Sequence, residues 1–252
     1  MIRQIAVPLI AVVVFLGLWE LLVWANDWPN YIMASPSDLP AAYSKYWNLF
    51  LVMGWQTLWR TVVGLLLAII VGIAIGMIMG FSRLMRDALY PLLVGFNAIP
   101  KATVVPIVAL LFVGAHDFNT ILIAFMISFF PIAVSVAIGL STLEPEYRDI
   151  LRSLGASQST IFWKIALPKT LPEFFGALKV SVTLAFIGTN LMEIVSPHGR
   201  GLGALFDSGK TNSDYPLMFA VLIALAFLGI VLYYVVVALE KVFAGWAERQ
   251  PS

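Results

Sequence analysis

Six stretches of about twenty mostly apolar residues punctuate this chain, and twenty apolar residues are what a helix needs to cross the hydrocarbon core of a bilayer. They run over 5–25, 59–80, 88–112, 119–140, 174–195 and 216–237. Inside a bilayer no water satisfies backbone N–H and C=O groups, so such runs must fold as helices that satisfy their own. Composition points the same way. Of 252 residues, 61% are hydrophobic and 12% charged, with a mean hydropathy of +0.93. A soluble domain carries about 25% charged residues, and a water-soluble fold of this length could not bury the apolar excess. The expectation is an all-α integral membrane protein of about six transmembrane helices, in a single domain over 1–252. The first run holds Trp19, Glu20 and Trp24 and lacks a small-x-small cleavage site, so it reads as a retained helix rather than a signal peptide.

The charges that remain set the orientation, because cytoplasmic loops retain lysine and arginine. With the N-terminus inside, the cytoplasmic side holds Arg3, Arg83, Arg86, Arg148, Arg152, Lys164, Lys169, Lys241 and Arg249. The outer side holds Lys45, Arg200 and Lys210, while Arg60, Lys101 and Lys179 fall within spans. Both termini are therefore expected in the cytoplasm. A net charge of +1 gives no field for nucleic acid. There are no cysteines, and His116 and His198 lie far apart without metal-ligand spacing, so no metal site is expected.

Within the spans, three features stand out. Gly64, Ala68, Gly72, Gly76 and Gly80 recur every four residues, which lines one helix face with small residues and lets another helix approach closely. The third span contains Pro91, Pro100 and Pro106 together with Asn97 and Lys101. Proline removes a backbone donor, and a broken helix survives in a membrane where protein or a water-filled cavity satisfies the freed carbonyls. Lys101 then has two readings: a residue lining a translocation path and attracting an anion, or an ion pair or cap on those carbonyls. Asn190 and Glu193 form the other intramembrane polar site, toward the outer end of span five. Glu193 either pairs with a cation, lines an outer vestibule or steadies the loop that follows.

No nucleophile elbow, carboxylate pair or metal constellation is present. Ser208-Gly209-Lys210-Thr211 imitates the end of a phosphate loop, but Ala204 stands where the first glycine belongs, and no strand precedes it. The most informative segment is the cytoplasmic loop 144–170. Ile150, Leu151 and Leu154 alternate at helical spacing with Glu146, Arg148, Asp149 and Arg152, an amphipathic helix outside the membrane. Gly155 ends it as a residue able to take positive φ, Ser157 or Ser159 caps a second short helix, and Pro168 stops that helix before span five. The pair forms a lever for a soluble partner or an interfacial helix resting on lipid.

That loop resembles the "EAA" loop of bacterial binding-protein-dependent ABC importer permeases: Gly155 with its neighbour Ala156, then Ile165, Leu167 and Pro168 at the family's spacing. The Glu-Ala-Ala positions are occupied by Asp149, Ile150 and Leu151, which keeps the acid and replaces the small pair with larger apolar residues. Trp19-Glu20-Leu21, Ser35-Pro36-Ser37, Ile99-Pro100-Lys101-Ala102, Phe112-Val113-Gly114 and Glu193 followed by Gly201-Leu202-Gly203 resemble the permeases for nitrate, taurine, other sulfonates and thiamine precursors. The resemblance implies a type I ABC importer permease fold in a bacterial inner membrane. It implies a second permease copy, two cytoplasmic ATPase subunits that bind ATP and magnesium, and a periplasmic or lipid-anchored substrate-binding protein. No cofactor is expected in this chain. The rival classes are a secondary transporter or channel, which would show two related halves with paired broken helices, and a membrane enzyme, which would need a catalytic constellation.

Overall fold

The computed structural model describes residues 2–141, 153, 155, 157, 160, 162–196 and 199–246. Helix α1 (Ile2–Ala25) is followed by a 3-10 turn at Pro36–Asp38 and a long α2 (Leu39–Phe81). Then come α3 (Arg83–Ala98), α4 (Lys101–Leu111), α5 (His116–Ser141), α6 (Leu167–Val195), α7 (Leu202–Thr211) and α8 (Tyr215–Ala244). Four segments, Pro36–Phe81, His116–Ser141, Lys164–Val195 and Tyr215–Ala244, are long and apolar enough to cross a bilayer. Helices α3 and α4 make a further crossing bent by 85°, and α1 supplies a shorter apolar stretch, Ile10–Ala25.

The small-residue ladder of α2 packs within the same chain, against α5. A methyl group added at Gly64, Gly72, Gly76 or Gly80 would meet Ala124, Ile132, Val136 and Leu140 respectively, at 2.6–2.9 Å. The constant sequence offset of these pairs means that the two helices run parallel, in register, over four turns. That direction requires one complete membrane crossing between them, which α3 and α4 supply. Ala68, in the middle of the ladder, is fully buried. This seam and α6 build the largest core, from Leu65, Met79, Phe129, Ile132, Val136, Leu178, Val182 and their neighbours.

Where sequence and structure differ, the differences have local causes. Helix α2 begins at Leu39, twenty residues before the apolar run at 59–80. Pro40 suits its first helical turn, and a kink falls at Tyr46 (φ −112°, ψ 18°). Of the three prolines in span three, Pro91 and Pro106 sit inside helices and only Pro100 coincides with the break. Ile99 before it is extended (ψ 127°), as the residue preceding a proline prefers. Pro168 does not stop a helix either: it lies in the first turn of α6, where its missing N–H would have no partner anyway.

At the outer end, α7 and the start of α8 pack on the first half of α2 through Leu39, Phe50, Leu202, Leu205, Leu217 and Val221. Asp214 caps α8 by accepting the Leu217 N–H at 3.2 Å and takes the Tyr46 hydroxyl at 2.6 Å. Burial pushes its carboxyl up, but those bonds and Lys45, 3.5 Å away, outweigh it and hold it below the usual carboxylate range. Glu20 of α1 accepts the backbone N–H and hydroxyl of Ser37 at 3.0 and 2.9 Å, which ties the first helix to the 3-10 turn. At the opposite end the Lys179 ammonium of α6 pairs with both Glu240 oxygens of α8, at 2.9–3.0 Å.

Candidate functional site

Three regions carry the polar chemistry of the bundle: a buried knot at the outer end, the bend in the broken span, and the segment leading into α6.

The knot is centred on Glu193, which is 1% exposed and lies in the last turn of α6. Its Oε1 accepts the Arg60 guanidinium of α2 at 3.2 Å, and its Oε2 accepts the Thr57 hydroxyl at 2.8 Å and the Gly203 N–H at 3.0 Å. Arg60 also donates to the Arg200 carbonyl and reaches Asp117 in the first turn of α5, with nitrogens 2.6 and 2.8 Å from Oδ1. A charge in the membrane is tolerated when it is paired and its remaining hydrogen-bonding capacity is used, and both conditions hold here. The knot also solves the problem of the α7 N-terminus, whose first N–H groups lack helical partners. Gly201 N–H meets the Met53 sulfur at 3.2 Å, Leu202 N–H meets Thr57 Oγ1 at 2.8 Å, and Gly203 N–H meets the carboxylate, placing a negative charge at the positive end of the helix dipole. Glycine is required at 201, where φ is +120° and a Cβ would collide with the Glu193 carboxylate.

Of the readings open for Glu193, the structure thus gives pairing with a cation and steadying of the following loop. Asn190, one turn earlier, donates to the Phe186 carbonyl of its own helix at 2.7 Å. Arg60, Thr57 and Asp117 are the members of this cluster that sequence reasoning missed as site residues. An arginine inside a span is itself a signal that a buried carboxylate lies nearby.

At the bend, Pro100 has no N–H for the Phe96 carbonyl four residues back. The Lys101 ammonium donates to that carbonyl instead and sits 4.3 Å from the Phe96 ring centre. This is the capping arrangement of the two that the sequence left open. Asn97 and Pro100 are exposed. The five candidate path residues therefore fall in two places, Asn97, Pro100 and Lys101 at the hinge and Asn190 and Glu193 at the outer end, rather than in one site. Lys101→Ala is expected to leave the Phe96 carbonyl without its partner and to lower stability by about 1–3 kcal/mol. Thermal unfolding in detergent measures this; an unchanged melting temperature would remove the capping role.

Of the segment leading into α6, Glu146, Arg148, Asp149, Ile150, Leu151, Leu154 and Ala156 lie outside the described residues. Gly155 has φ +81°, and nothing stands within 4 Å of where a Cβ would be, so backbone conformation rather than space selects glycine there. Ser157 Oγ accepts the Thr160 N–H at 3.1 Å, a contact of the capping kind, while Ser159 lies outside the described residues. A π turn at Phe162–Ala166 contains the half-buried Ile165, and it runs directly into α6 through Leu167 and Pro168.

With the fold and these sites in view, comparison with known proteins assigns the class. Residues 68–246 match the family model described as binding-protein-dependent transport system inner membrane component. The chain belongs to that family: it is a multi-pass membrane permease of the ABC importer class. It is 29% identical to the formylaminopyrimidine transport permease protein ThiX of Halalkalibacterium halodurans, over 96% of each chain. It is 30% identical to the riboflavin transport system permease protein RibX of Chloroflexus aurantiacus, over 94% of this chain and 88% of that one. The nitrate import permease protein NrtB of Leptolyngbya laminosa is 27% identical over 88% of this chain and 81% of its own. Among solved structures, the inward-facing MetNI methionine ABC transporter shares the fold, with a TM-score of 0.64 at 19% identity, over 79% of this chain and 98% of that chain.

Proposed function

We propose that this chain, as one domain over 1–252, pairs with a second copy to form the translocation path of an ATP-driven importer in a bacterial inner membrane. Two cytoplasmic ATPase subunits bind ATP and magnesium and dock on the 144–170 segment, and an external binding protein delivers a small solute to the outer face. Both termini lie in the cytoplasm. The observation that carries this reading is α6. It continues the π turn at Phe162–Ala166 without interruption, and over its 29 residues reaches from the docking segment to the Glu193 knot. At about 1.5 Å per residue such a helix spans the whole bilayer. A displacement imposed by the ATPases on its first turn is therefore delivered to the outer end, while α4, packed on α6 through Val105, Val108 and Met192, moves with it. ATP binding and hydrolysis supply the two states; the chain supplies the rod that joins them.

The names of the relatives cover neutral heterocycles and an anion alike, so the solute is assigned here only as small. Gly155→Asp forces a β-carbon into positive φ and is expected to abolish ATP-dependent uptake in proteoliposomes holding the full assembly, with the permease still inserted. Solute movement down an ion gradient by the purified permease without any ATPase would defeat the importer reading.

A further inference from the structure

Helix α8 changes partners along its length. Its first half packs on the start of α2: Leu217, Ala220 and Val221 share a buried cluster with Leu39, Ala42 and Phe50, and the Tyr43 hydroxyl donates to the Ala220 carbonyl at 2.7 Å. Its second half lies against α6. The Phe186 ring stands 3.3 Å from where a Gly229 Cβ would be. Lys179 reaches both Glu240 oxygens, at 2.9 and 3.0 Å, and the Phe175 and Phe243 rings stack 6.5 Å apart. Residue numbers fall along α6 as they rise along α8, so these contacts form one antiparallel seam of about three turns.

Within that seam the ion pair differs in kind from its neighbours. The Lys179 side chain is 25% exposed and that of Glu240 16%, and both lie in segments that cross the bilayer. Two charges taken out of water stabilise a fold no more than two well-packed apolar side chains in their place. What the pair adds is register. Aromatic and aliphatic side chains find comparable contacts one helical turn away, about 5.4 Å along the axis. The same slip parts Lys179 from Glu240 and leaves two unpaired charges at membrane depth, where each is costly. The pair therefore permits one alignment of α8 on α6, and α8 extends that alignment to the start of α2.

We propose that Lys179 and Glu240 are positioning residues that fix the register of α8 on α6, so that α8 moves with α6 when the ATPases act and carries the motion to the first half of α2. The shared motion rests on the importer function proposed above; the register does not. The chain has no cysteine, so spin labels go only where a cysteine is introduced. Val180→Cys and Leu239→Cys, exposed neighbours of the pair, report the seam in the full assembly with its ATPases in lipid nanodiscs. Dilution with unlabelled chain restricts the signal to distances within one copy. The unaltered pair is expected to give one narrow distance, the same without nucleotide and with ATP and vanadate. Lys179→Met/Glu240→Leu is expected to keep or raise the melting temperature, yet to broaden the distance without nucleotide and shift it by about 5 Å, one helical turn, between the two states. Lys179→Glu/Glu240→Lys is expected to restore the single distance. A narrow, unchanged distance in the apolar double variant, broadening that the exchanged pair does not reverse, or a shift between states with the native pair present would each overturn the proposal. A separate label at Lys164→Cys, exposed at the entry to α6, reads the distance between copies in undiluted protein. If nucleotide left that distance unchanged, the importer reading would fail, while the nucleotide-free broadening would still decide the register.

Discussion

Arg60→Ala is expected to destabilise the protein by about 3–5 kcal/mol, the loss typical of removing one partner from a buried ion pair. The Arg60 side chain is 3% exposed and that of Glu193 1%. Deleting the guanidinium therefore leaves a carboxylate with the Thr57 hydroxyl and the Gly203 N–H but no countercharge. The loss also frees the Arg200 carbonyl and the hold on Asp117, so α2, α5, α6 and the loop before α7 are released together. Asp117 provides the internal comparison. Its side chain is 59% exposed, so Asp117→Ala should cost about 1 kcal/mol or less, as exposed pairs do. The double variant Arg60→Met/Glu193→Leu removes both charges and should recover much of the loss, with the unpartnered Gly203 N–H keeping recovery incomplete by about 1–3 kcal/mol. Chemical unfolding in detergent micelles measures all four proteins. Equal losses for Arg60→Ala and Asp117→Ala would mean that the knot is held from its wet side, contrary to the geometry.

The bundle is legible from sequence because the bilayer enforces it: each apolar run has to become a helix, and all but the run at 88–112 lie within single helices. What escapes is whatever the bilayer does not dictate. The first twenty residues of α2 are amphipathic enough to pass for a loop, yet they form helix because Tyr43 and Phe50 find partners on α7 and α8; the Tyr43 hydroxyl reaches the Ala220 carbonyl at 2.7 Å. The bend angle at Pro100 is not readable either, since proline announces a missing donor but not how the chain turns. Glu193 can be picked out from sequence because a glycine motif follows it, whereas Arg60 sits unaccompanied between Trp59 and Thr61. The 133-residue separation of the two hides the pair, and only the rule that a buried charge seeks its opposite could join them. The Gly201-Leu202-Gly203 motif gains a physical reason only in three dimensions: both glycines make room for the Glu193 side chain. For Lys101, sequence can name the two uses of a cation at a broken helix, and the contact with the Phe96 carbonyl becomes visible only in the structure.

The second large effect is expected from Gly76 on the α2–α5 seam. A Cβ there would lie 2.6 Å from Val136 Cβ and 2.7 Å from the Ala133 carbonyl oxygen. Val136 Cβ is set by its own backbone and the carbonyl belongs to the helix, so neither can move without shifting α5. Overpacking of a close seam costs about 1–3 kcal/mol, so Gly76→Ala should fall in that range and Gly76→Leu beyond it, with loss of folded protein on extraction. Gly64 differs in a useful way. Its nearest obstacle is the Ala124 methyl at 2.6 Å, and the Ile121 oxygen stands back at 3.1 Å. Exchanging the pair, Gly64→Ala with Ala124→Gly, should therefore restore most of what Gly64→Ala alone removes, whereas Gly76→Ala with Val136→Gly should not, because the carbonyl remains. Gly95 on α3 has nothing within 4 Å of its Cβ position, so Gly95→Ala is expected to be neutral or to stabilise by about 0.5–1 kcal/mol through helix propensity. Melting temperatures of the purified variants separate these cases. If Gly76→Ala proved as harmless as Gly95→Ala, the close parallel contact between α2 and α5 would be refuted.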